Sequence, residues 1–425
     1  MDNEALIAPV PGPRSLALAA RLRRCESRGV TFLSEDFPIF WEAARGAHVI
    51  DVDGNRYLDL TSAFGVATVG HTNPAVGDAI RDQATRLVHG LGDVHPSELR
   101  VRFLERLAAI APEGLERSYL CSSGSEAIDF ALKTAYLRTR RPGIVAFEGS
   151  YHGLTSSALS VTGIARFRAP FEAFLANGGR VRFAPFGGDV ATIERLLGNR
   201  DVGTVVVEPI QGRAGVVIPP PGWLRELRTL CDRNGVVLIL DEIYTGFGRT
   251  ATMFACEHEG VVPDLLCVGK AIANGVPLAG VIGRSETMDA WQTSTGEALH
   301  TSTYLGNPLA CAAALANLDE IVRLGIVERA RSLGVFLSER LEALRKHPAV
   351  RAVRGRGALW GVETPSAGVS FGIAKAALRA GVIVLPSGVE GNVITLAPPL
   401  TIERAQLERA LELFEGAVAG AGVAV

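Results

Sequence analysis

Lys270 ends a strand-like run, Asp264-Leu-Leu-Cys-Val-Gly-Lys270, and opens the apolar stretch Ala271-Ile-Ala-Asn-Gly-Val-Pro-Leu-Ala279. The only other lysines in the chain are Lys133, Lys346 and Lys375. An unpaired ammonium in apolar surroundings is costly, so such a lysine loses its proton readily and becomes a nucleophilic amine, the form that condenses with aldehydes. A lysine snorkelling from a buried strand end is the plainer alternative. A neighbouring run, Val236-Val-Leu-Ile-Leu240, delivers Asp241-Glu242-Ile243-Tyr244. A strand-end carboxylate usually caps a turn. Beside an imine-forming lysine, Asp241 can instead pair with a protonated pyridine nitrogen so that the ring withdraws electrons, which is the chemistry of pyridoxal 5'-phosphate.

Other polar clusters fit that chemistry without demanding it. Cys121-Ser-Ser-Gly-Ser125-Glu126 precedes a helix. With Ser122 or Ser125 as cap, its free N–H groups suit a phosphate, and equally an ordinary N-cap with nothing bound. Tyr151-His152-Gly153 follows a strand and brings a flat ring to the same sheet edge, where it can stack on a cofactor or simply fill core. His300-Thr-Ser-Thr303 is a turn-rich loop whose hydroxyls suit phosphate or solvent. Gly246-Phe-Gly-Arg-Thr-Ala251 spells a dinucleotide fingerprint, but its glycines come six residues after the strand's last apolar position, and that reading is rejected.

These residues need elements to hold them. Gly143–Phe147, Val205–Val207, Val236–Leu240 and Leu265–Val268 read as short buried strands. They alternate with helices at Ser97–Ala111, Ser125–Arg138 and Trp223–Asn234. Such alternation means an α/β fold, a mostly parallel sheet whose ligands gather at the carboxyl ends of the strands, where Glu208, Asp241 and Lys270 fall. Before it, His48–Leu60 reads as a hairpin around Asp53-Gly54. After it come helices from Pro308 to Leu324 and Ile326 to Lys346, strands near 359–362, 382–384 and 393–395, and a helix from Ile402 to about Val418. The expected organisation is a large domain over 61–308 and a smaller α+β domain made by segments 1–60 and 309–425.

A formal net charge of -2 gives no reason to expect nucleic acid or an anionic membrane as partner. The six cysteines show no C-x-x-C pair and no metal-ligand spacing, so free thiols, no metal and a reducing compartment are expected. The N-terminus reads as neither a secretory signal nor a spanning helix, and the expected location is cytoplasmic.

Taken together, the chain resembles the class III (ornithine/4-aminobutyrate type) pyridoxal-phosphate aminotransferases over nearly its whole length. The markers include Asp51-Val-Asp-Gly-Asn-Arg-Tyr-Leu-Asp59, Ser123-Gly-Ser-Glu126, Tyr151-His-Gly153, Glu208-Pro-Ile-Gln-Gly212, Asp241 to Thr250, Gly269-Lys270, His300-Thr-Ser-Thr303 and Pro398-Pro-Leu400. The resemblance implies a fold type I homodimer with active sites at the subunit interface. It implies Lys270 as the Schiff-base lysine and proton shuttle between the substrate carbon and the cofactor, with Asp241 on the pyridine nitrogen and Tyr151 stacked on the ring. Ser123, Gly124 and Ser125 would hold the phosphate, joined by Thr303 from the partner subunit. His152, Glu208 and Tyr244 would complete the cofactor contacts.

The departures bear on substrate. Tyr244 stands where the family often has glutamine. Many members that bind substrate carboxylates have arginine at the position of Leu154. Many also carry an arginine at the position of Thr395, balanced by a glutamate where this chain has Arg213. Either Arg213 binds the carboxylate from the opposite side, or the main substrate has no α-carboxylate. The expected activity is a ping-pong transfer between an amino-acid donor, glutamate or alanine, and a small-molecule amine or carbonyl partner such as an amino sugar, aminocyclitol or simple amine. A pyridoxal-phosphate aminomutase, and an ω-amino-acid aminotransferase using Arg213, are the alternatives.

Overall fold

The strands at 202–207, 237–241 and 265–268 are buried at every position, which is why they read as continuous apolar runs instead of alternating ones. In the computed structural model, which describes residues 6–175 and 180–421, they form the centre of a seven-stranded sheet. Its order is 117–121, 279–283, 265–268, 237–241, 202–207, 143–147, 180–184. The five strands from 265–268 to 180–184 run parallel. Ala279–Gly283 is antiparallel to both its neighbours. Helices Gly124–Thr139 and Trp223–Asn234 pack on this sheet.

The chain divides into two compact units, 74–331 and the combined segments 1–73 and 332–425; the sequence reading set its divisions at 60/61 and 308/309. Helix Pro308–Arg323 belongs to the large unit, where buried Asn317 donates to the carbonyls of Ala271 (2.8 Å) and Ile272 (3.1 Å) and so pins the turn that follows Lys270.

In the small unit the hairpin His48–Asp51 and Arg56–Asp59 turns through Gly54 at φ +88°, a conformation that favours glycine. The buried Tyr57 hydroxyl donates to Asp51 at 2.7 Å across that turn. Trp41–Arg45, a strand without the alternation that would announce it, pairs with 48–51. Val382–Ile383 joins the hairpin in parallel, so the two ends of the chain share one sheet. A second, antiparallel sheet runs 352–356, 359–363, 393–396, 385–387.

Two local expectations need correction. Ser123, not Ser122 or Ser125, caps the helix at 124–139; its hydroxyl accepts from Glu126 N at 3.3 Å, while the Glu126 carboxylate reaches back to Ser122 N at 2.8 Å. The last helix begins at Arg404, because Glu403 caps it and Ile402 N is already turned onto Pro399 O. No helix follows Gly246–Ala251 until a 3-10 turn at Ala255–Glu259, so the glycines there belong to turns.

Those turns are held by Glu242, which has no exposed surface. Its carboxylate accepts from Thr245 Oγ1 (2.6 Å), Ala255 N (2.8 Å) and Cys256 N (2.7 Å). Glu242→Ala strands three donors in the core one residue from Asp241. It is expected to cost about 3 kcal/mol or more, read as a lowered urea midpoint; a loss below about 1 kcal/mol would show that the loop supports itself.

Candidate active site

Three neighbouring parallel strands end in ionisable side chains. Register pairs Val207 with Leu240 and Asp241 with Cys267, so Glu208, Asp241 and Lys270 emerge at one end of the sheet. They line a cavity of about 230 Å³ together with Ser123, Gly124, Ser125, Tyr151, His152, Gly153, Ile243 and Tyr244. Of the residues expected to contact a cofactor, only Thr303 lies elsewhere in this chain, exposed in the turn before Asn307.

Asp241 sits against His152, with Oδ2 and Nδ1 2.7 Å apart and both side chains buried. Asp241 Oδ1 accepts from Ile243 N at 3.0 Å. Burial lowers the His152 pKa, but the bond to Asp241 and the charges of Asp241 and Glu208 outweigh it, and the imidazole is shifted upward. His152 N donates to Thr162 Oγ1 (3.0 Å), whose hydroxyl donates on to Gly153 O (3.1 Å); His152 Nε2 is buried with no partner. His152 therefore stands behind Asp241 as its buried support.

Lys270 follows Gly269 in a left-handed conformation, φ +41°, a strained state for a side-chain-bearing residue. Its ammonium lies 4.5 Å from the Tyr244 ring centroid. Burial lowers its pKa, opposed by the charges of Asp241 and Glu208. Burial thus works toward the neutral, nucleophilic form of the amine.

Glu208 works as a clamp. Oε2 accepts from Tyr151 N (3.0 Å) and Oε1 from Gly212 N (3.2 Å), tying two loops together. Beyond Gly212 the chain makes a tight turn closed by two hydrogen bonds of 3.0 Å between Gln211 and Val217. Gly215 and Val216 take left-handed conformations within it, and Gln211 Nε2 donates to Glu148 O at 2.8 Å. A Cβ at Gly212 would strike the Tyr244 ring. Arg213 is carried on this turn, with Nη1 buried and donating to nothing. Burial lowers its pKa, helped by the charge of nearby Arg166 and opposed by Tyr151 and Tyr244.

The residues marking the departures lie differently. Leu154 is 52% exposed, and its N donates to Ser125 Oγ at 3.3 Å. Thr395 is buried in the small unit, its hydroxyl 2.6 Å from Ser387 Oγ. Sequence reasoning did not single out Thr162, Ile243 or Arg166. Only Arg166, in the basic Arg166-Phe-Arg168 segment, carried a signal that could have found it.

The cavity suits a flat phosphorylated pyridine. Its floor at the helix start has no room for side chains: a Cβ at Gly124 would lie 2.8 Å from Ile243 Cδ1, and one at Gly153 would meet Ser125. The first-turn N–H groups there have no helical acceptor, and a carboxylate and an amine stand at the other end. Among the described residues no group of His, Cys, Asp and Glu could hold a metal ion, and no helix is long and apolar enough to cross a membrane.

The family profile described as aminotransferase class-III matches residues 32–418. The chain is 38% identical to a 4-aminobutyrate aminotransferase of Mycobacterium leprae, over 97% of each chain. Among solved structures it resembles the ornithine aminotransferase of Toxoplasma gondii (TM-score 0.87, 29% identity, 94% of each chain). It equally resembles an amine transaminase from an uncultivated Pseudomonas species, in its pyridoxal-phosphate-bound form (TM-score 0.87, 29% identity, 94% of this chain and 99% of that one).

Burial raises the Glu208 pKa from 4.5 to about 7, with the His152 charge opposing and Asp241 reinforcing. Between those values the folded protein keeps a proton that the unfolded chain has lost, so this group's contribution to stability falls as pH rises from about 4.5 to about 7. Urea midpoints of the cofactor-free protein across that window should lose part of their pH slope in Glu208→Gln. An unchanged slope assigns the effect to another group.

Proposed function

The chain belongs to the class III aminotransferases, enzymes that work with pyridoxal 5'-phosphate, and on that premise we propose that it exchanges an amino group between an amino acid held by Arg213 and a carbonyl partner whose reacting carbon bears no carboxylate. Arg213 carries the reading: a guanidinium borne on a turn closed by backbone hydrogen bonds, with a buried N–H that lacks an acceptor. A substrate carboxylate supplies that acceptor in a charge-assisted bond. Leu154 and Thr395, standing where many relatives bind carboxylates with arginine, leave Arg213 as the anchor.

When bound, the cofactor supplies an electron sink that makes the carbon beside the amino group acidic. Lys270 Nζ is the nucleophile that tethers the cofactor and the base that moves the substrate proton. Asp241, backed by His152, holds a proton at the pyridine nitrogen. Ser123, Gly124 and Ser125 hold the phosphate. Tyr151 and Tyr244 line the cavity that would take the ring, and Glu208 keeps Tyr151 and the Arg213 turn in place. The enzyme is proposed to be a homodimer in which Thr303 completes the neighbour's phosphate site, working in the reducing cytoplasm, where its buried cysteines stay as thiols.

The donor is an amino acid such as glutamate or alanine, and the partner the aldehyde or ketone that becomes an amino sugar, aminocyclitol or simple amine. A second reading has an ω-amino acid as main substrate, its remote carboxylate on Arg213; the likeness to a 4-aminobutyrate aminotransferase favours it.

Borohydride reduction of the holoenzyme should fix the cofactor to Lys270, seen by peptide mapping, and Lys270→Ala should abolish turnover; a label on Lys133, Lys346 or Lys375 refutes the assignment. Arg213→Ala should cost the donor half-reaction about 1.5–3 kcal/mol in single-turnover kinetics and largely spare a carboxylate-free amine. Equal losses would make Arg213 structural. A strong preference for 4-aminobutyrate over a plain amine, abolished in Arg213→Ala, would select the second reading.

A further inference from the structure

The Tyr244 ring lies between two parts of the site. Lys270 Nζ is 4.5 Å from its centroid, and the bare Cα of Gly212 packs so close that a methyl group there would strike the ring. The charged side chains acting on Lys270 are Asp241 and Glu208. Asp241 already accepts from Ile243 N and is bonded to His152. Both Glu208 oxygens are engaged by backbone N–H groups. No described residue gives Lys270 an ion pair, so the aromatic face is the close partner of its charge.

An aromatic face attracts an ammonium and has no comparable attraction for a neutral amine. We propose that the face of Tyr244 stabilises the charged form of Lys270, making Tyr244 a positioning residue for the proton that Lys270 takes from the substrate carbon and returns. The inference rests on the reading of Lys270 as the reacting amine. Burial alone favours the neutral amine, which takes up the proton poorly. The ring offsets that preference without adding a carboxylate that would hold the proton permanently. It also fixes where Nζ waits, because Gly212 and its clamp by Glu208 keep the ring from tilting away. The phenol oxygen has no part in this effect, whatever it contributes to cofactor contact.

The test follows the pH at which Lys270 becomes half-reactive toward trinitrobenzenesulfonate, quantified on its own peptide, with Lys133 as internal reference. It uses the full-length enzyme with its cofactor in the aminated form, and the cofactor-free protein in parallel. Tyr244→Phe should leave the midpoint in place. Tyr244→Leu and Tyr244→Gln should lower it by about 0.5–1.5 pH units with the Lys133 midpoint unmoved. A midpoint that stays or rises in both overturns the proposal, as does a Phe variant that shifts as far as Leu, because the oxygen would then be responsible. Should Leu and Gln fail to fold, Tyr244→Met, which keeps much of the volume without an aromatic face, carries the comparison with Tyr244→Phe in the cofactor-free protein, and a Met midpoint that is not lowered overturns the proposal. Borohydride mapping to another lysine would defeat the underlying reading instead, a result these midpoints do not imitate.

Discussion

Parallel register is the constraint on which the site depends. Val207, Asp241 and Val268 end three adjacent strands, so the residues just beyond them are forced into one small volume. Slipping any strand by one position would send its terminal side chain to the other face. The charges brought together this way have little water to rely on and are kept by one another. Asp241 is bonded to His152, Lys270 is drawn toward neutrality by burial while two carboxylates resist, and Glu208 is pushed up toward neutral pH. The Lys270 and Glu208 shifts have the same leading cause, burial in a low-dielectric pocket at a sheet edge.

The second feature is rigidity in the turn that follows Gly212. Arg213 is carried by a turn closed at Gln211 and Val217, clamped at Gly212 by Glu208 and braced on Tyr244. The closed turn fixes the backbone from which the Arg213 side chain projects, so no loop has to be ordered when a ligand meets it. The clamp also joins Tyr151 to the same carboxylate. Tyr151 and the turn that carries Arg213 are therefore parts of one hydrogen-bonded assembly, and a change in either is felt by the other.

Much of the fold was legible. Gly143–Phe147, Leu265–Val268 and Trp223–Asn234 coincide with observed elements, because buried parallel strands and amphipathic helices write their periods directly into the chain. Trp41–Arg45 was not legible, since its place comes from pairing with the hairpin and its own side chains do not alternate. Ser123 was passed over as the cap because Ser122, Ser123 and Ser125 offer the same chemistry, and only the backbone direction at the strand end selects among them.

For the site, residue types and spacing placed a lysine, a carboxylate and a serine-glycine turn at strand or helix ends, and the resemblance to a known family joined them through pyridoxal phosphate. That much is local, since each signal sits within a few residues of the element it terminates. Only the tertiary structure decided that His152 backs Asp241, that Glu208 bridges Tyr151 and Gly212, and that Tyr244 lies against Lys270. The first of these joins positions 89 residues apart, and no periodicity encodes such a contact. It exists because a parallel sheet returns each strand to the same edge, and burial there leaves polar groups no partner except one another.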